Sequence, residues 1–117
     1  MDELILIFRT NSRSSVSAVE RVKSLLSSKD RCELHDLTHG KVAEKASWKA
    51  FRTKSSTPIQ MYHQDEIPDA VRSFLLSYDP ELPVVLAHRG KEYTILLSAD
   101  EIRQFKGDTA AFIQRLS

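Results

Sequence analysis

The sequence predicts an α/β protein: a small mixed sheet with helices on both faces, in a single domain over residues 1–117. Three observations carry that reading. Leu4-Ile5-Leu6-Ile7-Phe8 is a short continuous apolar run, as in a strand covered on both faces, and apolar residues at helical spacing follow it. Pro83 to Ala87 and Glu92 to Leu97 are two more strand-like runs, separated by a turn that contains glycine. Ser98-Ala99-Asp100-Glu101 then spells a capping box, in which the serine answers one orphan helix donor and the glutamate answers the serine's own N–H.

The elements follow in order. Residues 3–9 read as the buried strand. The polar segment 10–15 leads into a helix on which Val16, Val19, Val22, Leu25 and Leu26 recur, with Ser12 or Ser14 as its cap. Residues 31–37 read as a second strand, with Cys32, Leu34 and Asp36 on one side and Glu33, His35 and Leu37 on the other. Thr38-His39-Gly40 is a turn. Residues 41–52 favour helix, and Thr53 to Pro58 is loop, rich in Ser and Thr. Pro58 to Tyr62 is either a short strand or an irregular connector. Asp69 to Tyr78 is a helix approached through Pro68 and lined by Val71, Phe74 and Leu75. The last helical stretch breaks at Lys106-Gly107, and Asp108 recaps a final helix through Ala110, Phe112, Ile113 and Leu116. The first half is expected to be a parallel βαβ unit with a right-handed crossover. The hairpin adds antiparallel strands and the terminal helix closes the domain.

Composition removes several function classes. Seventeen Lys and Arg against sixteen Asp and Glu leave a net charge of +1, so no global field recruits nucleic acid or anionic membrane. Cys32 is the only cysteine, which excludes a disulfide framework and a four-sulfur metal site. A lone thiol fits a reducing cytosol, so the expected location is cytoplasmic. Met1-Asp2-Glu3 has no basic region, the apolar run after it is short for a signal sequence, and no stretch is long enough to span a bilayer. There is no G-x-S-x-G, no P-loop and no G-x-G-x-x-G. No catalytic residue, metal or cofactor is therefore named. His35, His39, His63 and His88 form no H-x-x-x-H pair on a helix expected from the sequence, since His35 and His39 straddle a strand end and a turn.

The order of elements resembles the thioredoxin-like superfamily, its glutaredoxin branch most closely. Two places carry the resemblance. The first is Ile7-Phe8-Arg9-Thr10-Asn11-Ser12-Arg13-Ser14-Ser15-Val16 and the helix after it, where the family's C-x-x-C falls near Arg13 to Val16 and this chain has Arg-Ser-Ser-Val. The second is Leu82-Pro83-Val84-Val85, where the family places a cis-proline, with Thr57-Pro58-Ile59 as the competing candidate. The loop 11–19 is also similar to the matching stretch of KaiB-type clock proteins, which are redox-dead thioredoxin-like binding proteins. Dithiol exchange needs a thiolate and a resolving thiol, and Ser and Arg supply neither. The resemblance thus implies a redox-inactive module that works by binding, most simply another protein, in an interaction or regulatory role.

Two surfaces are candidates. Asn11, Ser12, Arg13, Ser14 and Ser15, with Pro83, form a partner- or anion-binding loop at a helix N-terminus, where free N–H groups and the dipole favour negative charge. The same loop would serve a glutathione- or anion-binding enzyme. Lys41, Lys45, Lys49, Arg52 and Lys54 form a basic face beside Trp48 and Phe51, with lysines four apart on one side of the expected helix, and suit a nucleic-acid partner. The segment 65–81 carries the compensating acidity. Each has a plainer reading: a helix cap with its solvated loop, and an outer helix face with its aromatics in the core.

Overall fold

A computed structural model describes residues 2–9, 33–40 and 43–117. Among these residues the sheet has four strands: β1 (Glu3–Phe8), β2 (Ile59–His63), β3 (Val84–Arg89) and β4 (Glu92–Leu97), in the order β2-β1-β3-β4. β1 pairs parallel with β2 and antiparallel with β3, and β3 pairs antiparallel with β4. Five helices accompany it among the described residues: α1 (Glu33–Thr38), α2 (Ala46–Lys54), α3 (Asp69–Tyr78), α4 (Ala99–Gln104) and α5 (Thr109–Leu116). The mixed α/β architecture expected from the sequence is the one observed.

The continuous apolar run of β1 is explained by its position. Successive side chains point to opposite faces, and β1 lies inside the sheet with both faces covered. Leu4, Leu6 and Phe8 enter one core with Leu34 and Leu37 of α1, Trp48 of α2, Val85, Leu97, Ile102 of α4, and Phe112 and Leu116 of α5. Ile5 and Ile7 enter a second core with Val84, Leu86, Ile67 and Val71 of α3. Burying each of these large side chains is worth about 1.5–3 kcal/mol, so both cores hold β1 in register.

The C-terminal half follows its sequence signals closely. Arg89 pairs with Glu92 across a two-residue turn whose Gly90 has φ +58, a conformation that costs a residue without a Cβ nothing. Ser98 Oγ accepts from the Glu101 N–H at 3.3 Å, and Glu101 Oε1 accepts from the Ser98 N–H at 3.1 Å. Lys106 and Gly107 take positive φ between α4 and α5, and Asp108 Oδ1 accepts from the Ala111 N–H at 3.1 Å to cap α5. α3 spans the expected residues, preceded by Pro68.

The first half needs three corrections. Residues 33–38 form helix α1, not part of a strand over 31–37. Leu34, Leu37 and Thr38 are its buried residues, an i, i+3, i+4 set that belongs to a helix and that alternation by two splits between faces. Cys32 lies outside the described residues. The helix expected over 41–52 begins at Ala46 and runs on to Lys54, so Thr53 and Lys54 are helical and not loop. The described residues before it are paired in another way: the Gly40 N–H donates to Ala43 O at 2.7 Å, His39 bridges to Glu44, and the Lys45 N–H donates to Thr38 O at 2.9 Å. Those backbone groups are committed before the helical ladder starts, which it does with Lys49 N–H to Lys45 O at 2.9 Å. Finally, Ile59–His63 is a strand, and it rather than 31–37 is the parallel neighbour of β1. The expected loop and helix over 10–26 lie outside the described residues.

Candidate functional site

The carboxyl ends of β1 and β2 and the start of β3 meet at one end of the sheet. Phe8 sits opposite His63, and Ile7 is flanked by Tyr62 on one side and Val84 on the other. Pro83, buried, precedes Val84, and the Leu82–Pro83 bond is cis, whereas Thr57–Pro58 is not. In open α/β sheets ligands bind beyond the carboxyl ends of parallel strands, which singles out this end. The loop Asn11, Ser12, Arg13, Ser14 and Ser15 lies outside the described residues, but Arg9, its approach, is here: its Nη2 lies 3.7 Å from Glu33 Oε2.

Three histidines gather at this end around Phe8. His35 and His39 meet its ring edge-on at centroid distances of 6.1 and 6.0 Å, and His63 lies tilted at 5.4 Å. His35 and His39 stack on each other at 4.6 Å, nearly parallel. Their spacing of four residues produces a contact because α1 is a helix with His39 immediately after it. Reading 31–37 as a strand hid that contact, and no periodicity in the sequence links His63 to them. His39 Nδ1 is 2.7 Å from Thr38 Oγ1, whose hydroxyl also reaches Leu34 O at 3.2 Å. Burial holds the pKa of His39 below its ordinary value; Glu44 opposes that shift, and His63 and Arg52 add to it. The cluster sets three half-buried imidazoles around the buried Phe8 ring at the β1 end, so the polar aromatic edges of the histidines are the groups available for recognition there.

The basic face is divided by the structure. Lys41 lies outside the described residues. Lys45 is the residue before α2, in extended conformation, so it does not share a helix face with Lys49. Its Nζ donates to Thr109 Oγ1 at 3.0 Å, and that hydroxyl donates to Leu37 O at 2.9 Å, tying the α1, α2 and α5 regions together. Arg52 donates from Nε and Nη2 to the two oxygens of Glu44 at 2.9 and 2.8 Å, a bidentate fork. That fork lowers the Glu44 pKa and raises that of Arg52. Lys49 and Lys54 are exposed. Trp48 is fully buried and Phe51 packs beside it at 5.7 Å, so the aromatics of this stretch face the core.

A further ionic cluster links α1 to α4. Arg103 pairs with Asp100 and Glu81 and lies 3.8 Å from Glu33. Beside it a cleft of about 320 Å³ is lined by Glu33, Asp36, Ile102, Arg103, Lys106 and Gly107. His88 sits at the opposite end of the sheet, bonded through Nδ1 to Glu3 Oε1 at 2.9 Å and stacked on Tyr93 at 4.4 Å. No three His, Cys, Asp or Glu side chains among the described residues are grouped to hold a metal ion. No helix among them is long and apolar enough to cross a membrane. No family model, curated protein or solved structure matches this chain.

Proposed function

We propose that the chain is a redox-inactive, thioredoxin-like recognition module that binds another protein at the end of the sheet where β1 and β2 finish and β3 begins. One observation carries the reading: Phe8, the three histidines around it and the buried Pro83 converge there, directly where the chain leaves β1 at Arg9. Two others support it. β1 is interior, parallel to β2 and antiparallel to the hairpin, as the resemblance implies. Cys32 is the only thiol in the sequence, so dithiol exchange has no second sulfur. A nucleic-acid role for the basic face is less well supported, because Lys45 and Arg52 are engaged within the chain.

The test is affinity capture from the source cell under reducing conditions, with the native chain, His63→Ala, Arg9→Glu and Leu76→Ser as baits. Leu76 is 77% exposed on α3 and serves as the control. A partner that survives reductant, stays with Leu76→Ser and is lost with His63→Ala and Arg9→Glu supports the reading. Capture unchanged by both sheet-end variants, or release by reductant, overturns it.

A further inference from the structure

The outer edge of β4 has no partner among the described residues, and its chemistry is unusual for such an edge. Exposed edge strands carry free N–H and C=O groups and are normally guarded by a central lysine, a proline or a short length. β4 is six residues long, and Tyr93-Thr94-Ile95-Leu96-Leu97 contains neither charge nor proline. Thr94 is exposed and Ile95 is 39% exposed. The only irregularity is a bulge beyond Ile95, where Leu86 pairs with Ile95 but Val85 with Leu97, so Glu92 to Ile95 remain regular. Counting from the Arg89–Glu92 pair across the tight turn, strand alternation turns the backbone groups of Tyr93 and Ile95 outward.

We infer that β4 pairs antiparallel with β4 of a second copy of this chain, joining two four-stranded sheets into one. Charge distribution argues for this occupant. Centred on Thr94, the pairing sets Tyr93 of each copy opposite Ile95 of the other and Glu92 opposite Leu96, so no like charges face each other. The same register carries the hairpin tip of one copy, where Arg89 and Lys91 are exposed, alongside Ser98 and the first turn of α4 in the other, where Asp100 and Glu101 are exposed. The two-fold axis makes that basic-to-acidic contact twice, as an isologous interface requires. Ile95 lies on the same face as Tyr93, which packs against Phe74 of α3 at 5.7 Å, so the joined edge also doubles an apolar strip.

Sedimentation velocity of the full chain from micromolar to submillimolar concentration tests the inference. The expected result is a monomer–dimer equilibrium that weakens as salt rises. Thr94→Lys places two like charges directly opposite at the axis, and together with Ile95→Lys it should raise the dimer dissociation constant at least about tenfold. Both positions are exposed, and an unchanged circular dichroism spectrum shows that the variants fold. Lys91→Glu should weaken the dimer, and adding Asp100→Lys should restore part of the loss. A monomer at all concentrations, or a dimer indifferent to Thr94→Lys and Ile95→Lys, overturns it.

Discussion

Among the described residues the two faces of the sheet are covered unequally. Behind Leu4, Leu6 and Phe8 stand, among the described residues, four short helices, α1, α2, α4 and α5, that also pack against one another. Behind Ile5 and Ile7 stands α3 alone among the described residues, with side chains from the strands filling in around it. Among the described residues the same strand therefore meets several helices on one side and one helix on the other. The difference teaches where the molecule is able to relax. A void among several mutually braced helices cannot be closed by moving one of them, whereas a lone helix settles onto a smaller core.

The sharpest test uses neighbours in sequence. Leu6 and Ile5 are both fully buried and differ mainly in which core they enter. Truncation to alanine should cost about 2–5 kcal/mol at either site, with Leu6→Ala toward the upper end because its cavity stays open. Equilibrium urea unfolding measures both, and a larger loss for Ile5→Ala would break the comparison.

The caps come next. Asp108→Ala removes the cap that begins α5, a wall of the thicker core, and should cost about 1 kcal/mol. Ser98→Ala should cost a similar amount by undoing the capping box of α4. Thermal unfolding reads both, and a wild-type midpoint in either variant would mean that tertiary packing alone sets these helix starts.

The pH dependence also belongs to the thicker face. His39 has a lowered pKa in the folded chain, so between that value and its ordinary 6.5 the unfolded state binds the extra proton. Stability held above pH 6.5 is therefore lost as the pH falls through the folded pKa, and His39→Gln should lessen that acid loss. Urea midpoints at neutral and mildly acidic pH test this, and equal slopes for both proteins would remove His39 as the source. Glu44→Gln should cost under about 1 kcal/mol, since its pair with Arg52 is partly solvated. It should also lower the His39 pKa further, because the Glu44 charge holds it up; an NMR titration of the imidazole reads that shift.

The smallest effect is expected on the outer side of α3. Leu76 is 77% exposed, and Leu76→Ser should change stability by no more than about 0.5 kcal/mol. A larger loss in urea would show that this side of the thin layer is covered.

Legibility in the sequence divides along similar lines. β1, α3, the hairpin, both caps and the break at Lys106-Gly107 could be read because each is encoded within a few residues: an apolar run, a glycine in a tight turn, a serine three before a glutamate. The stretch from 33 to 54 was not legible in the same way. Leu34 and Leu37 are two apolar positions among polar ones, too few to separate a period of two from one of 3.6. The start of α2 depends on hydrogen bonds that Gly40 and Lys45 make to Ala43 and Thr38. For the same reason Lys45, expected within one helix with Lys49, stands just before the helix that carries Lys49.

The sequence alone determined the class of the fold, an interior first strand, a C-terminal hairpin with capped helices behind it, and a chain with one thiol. These follow from local periodicity, capping chemistry and composition, which act over a few residues and need no knowledge of neighbours in space. Only the tertiary structure decided which strand lies beside β1, that His35, His39 and His63 surround Phe8, and that Arg52 and Lys45 are spent on Glu44 and Thr109. Those contacts join residues far apart along the chain, and their free energy comes from burial and pairing that exist only once the layers have closed.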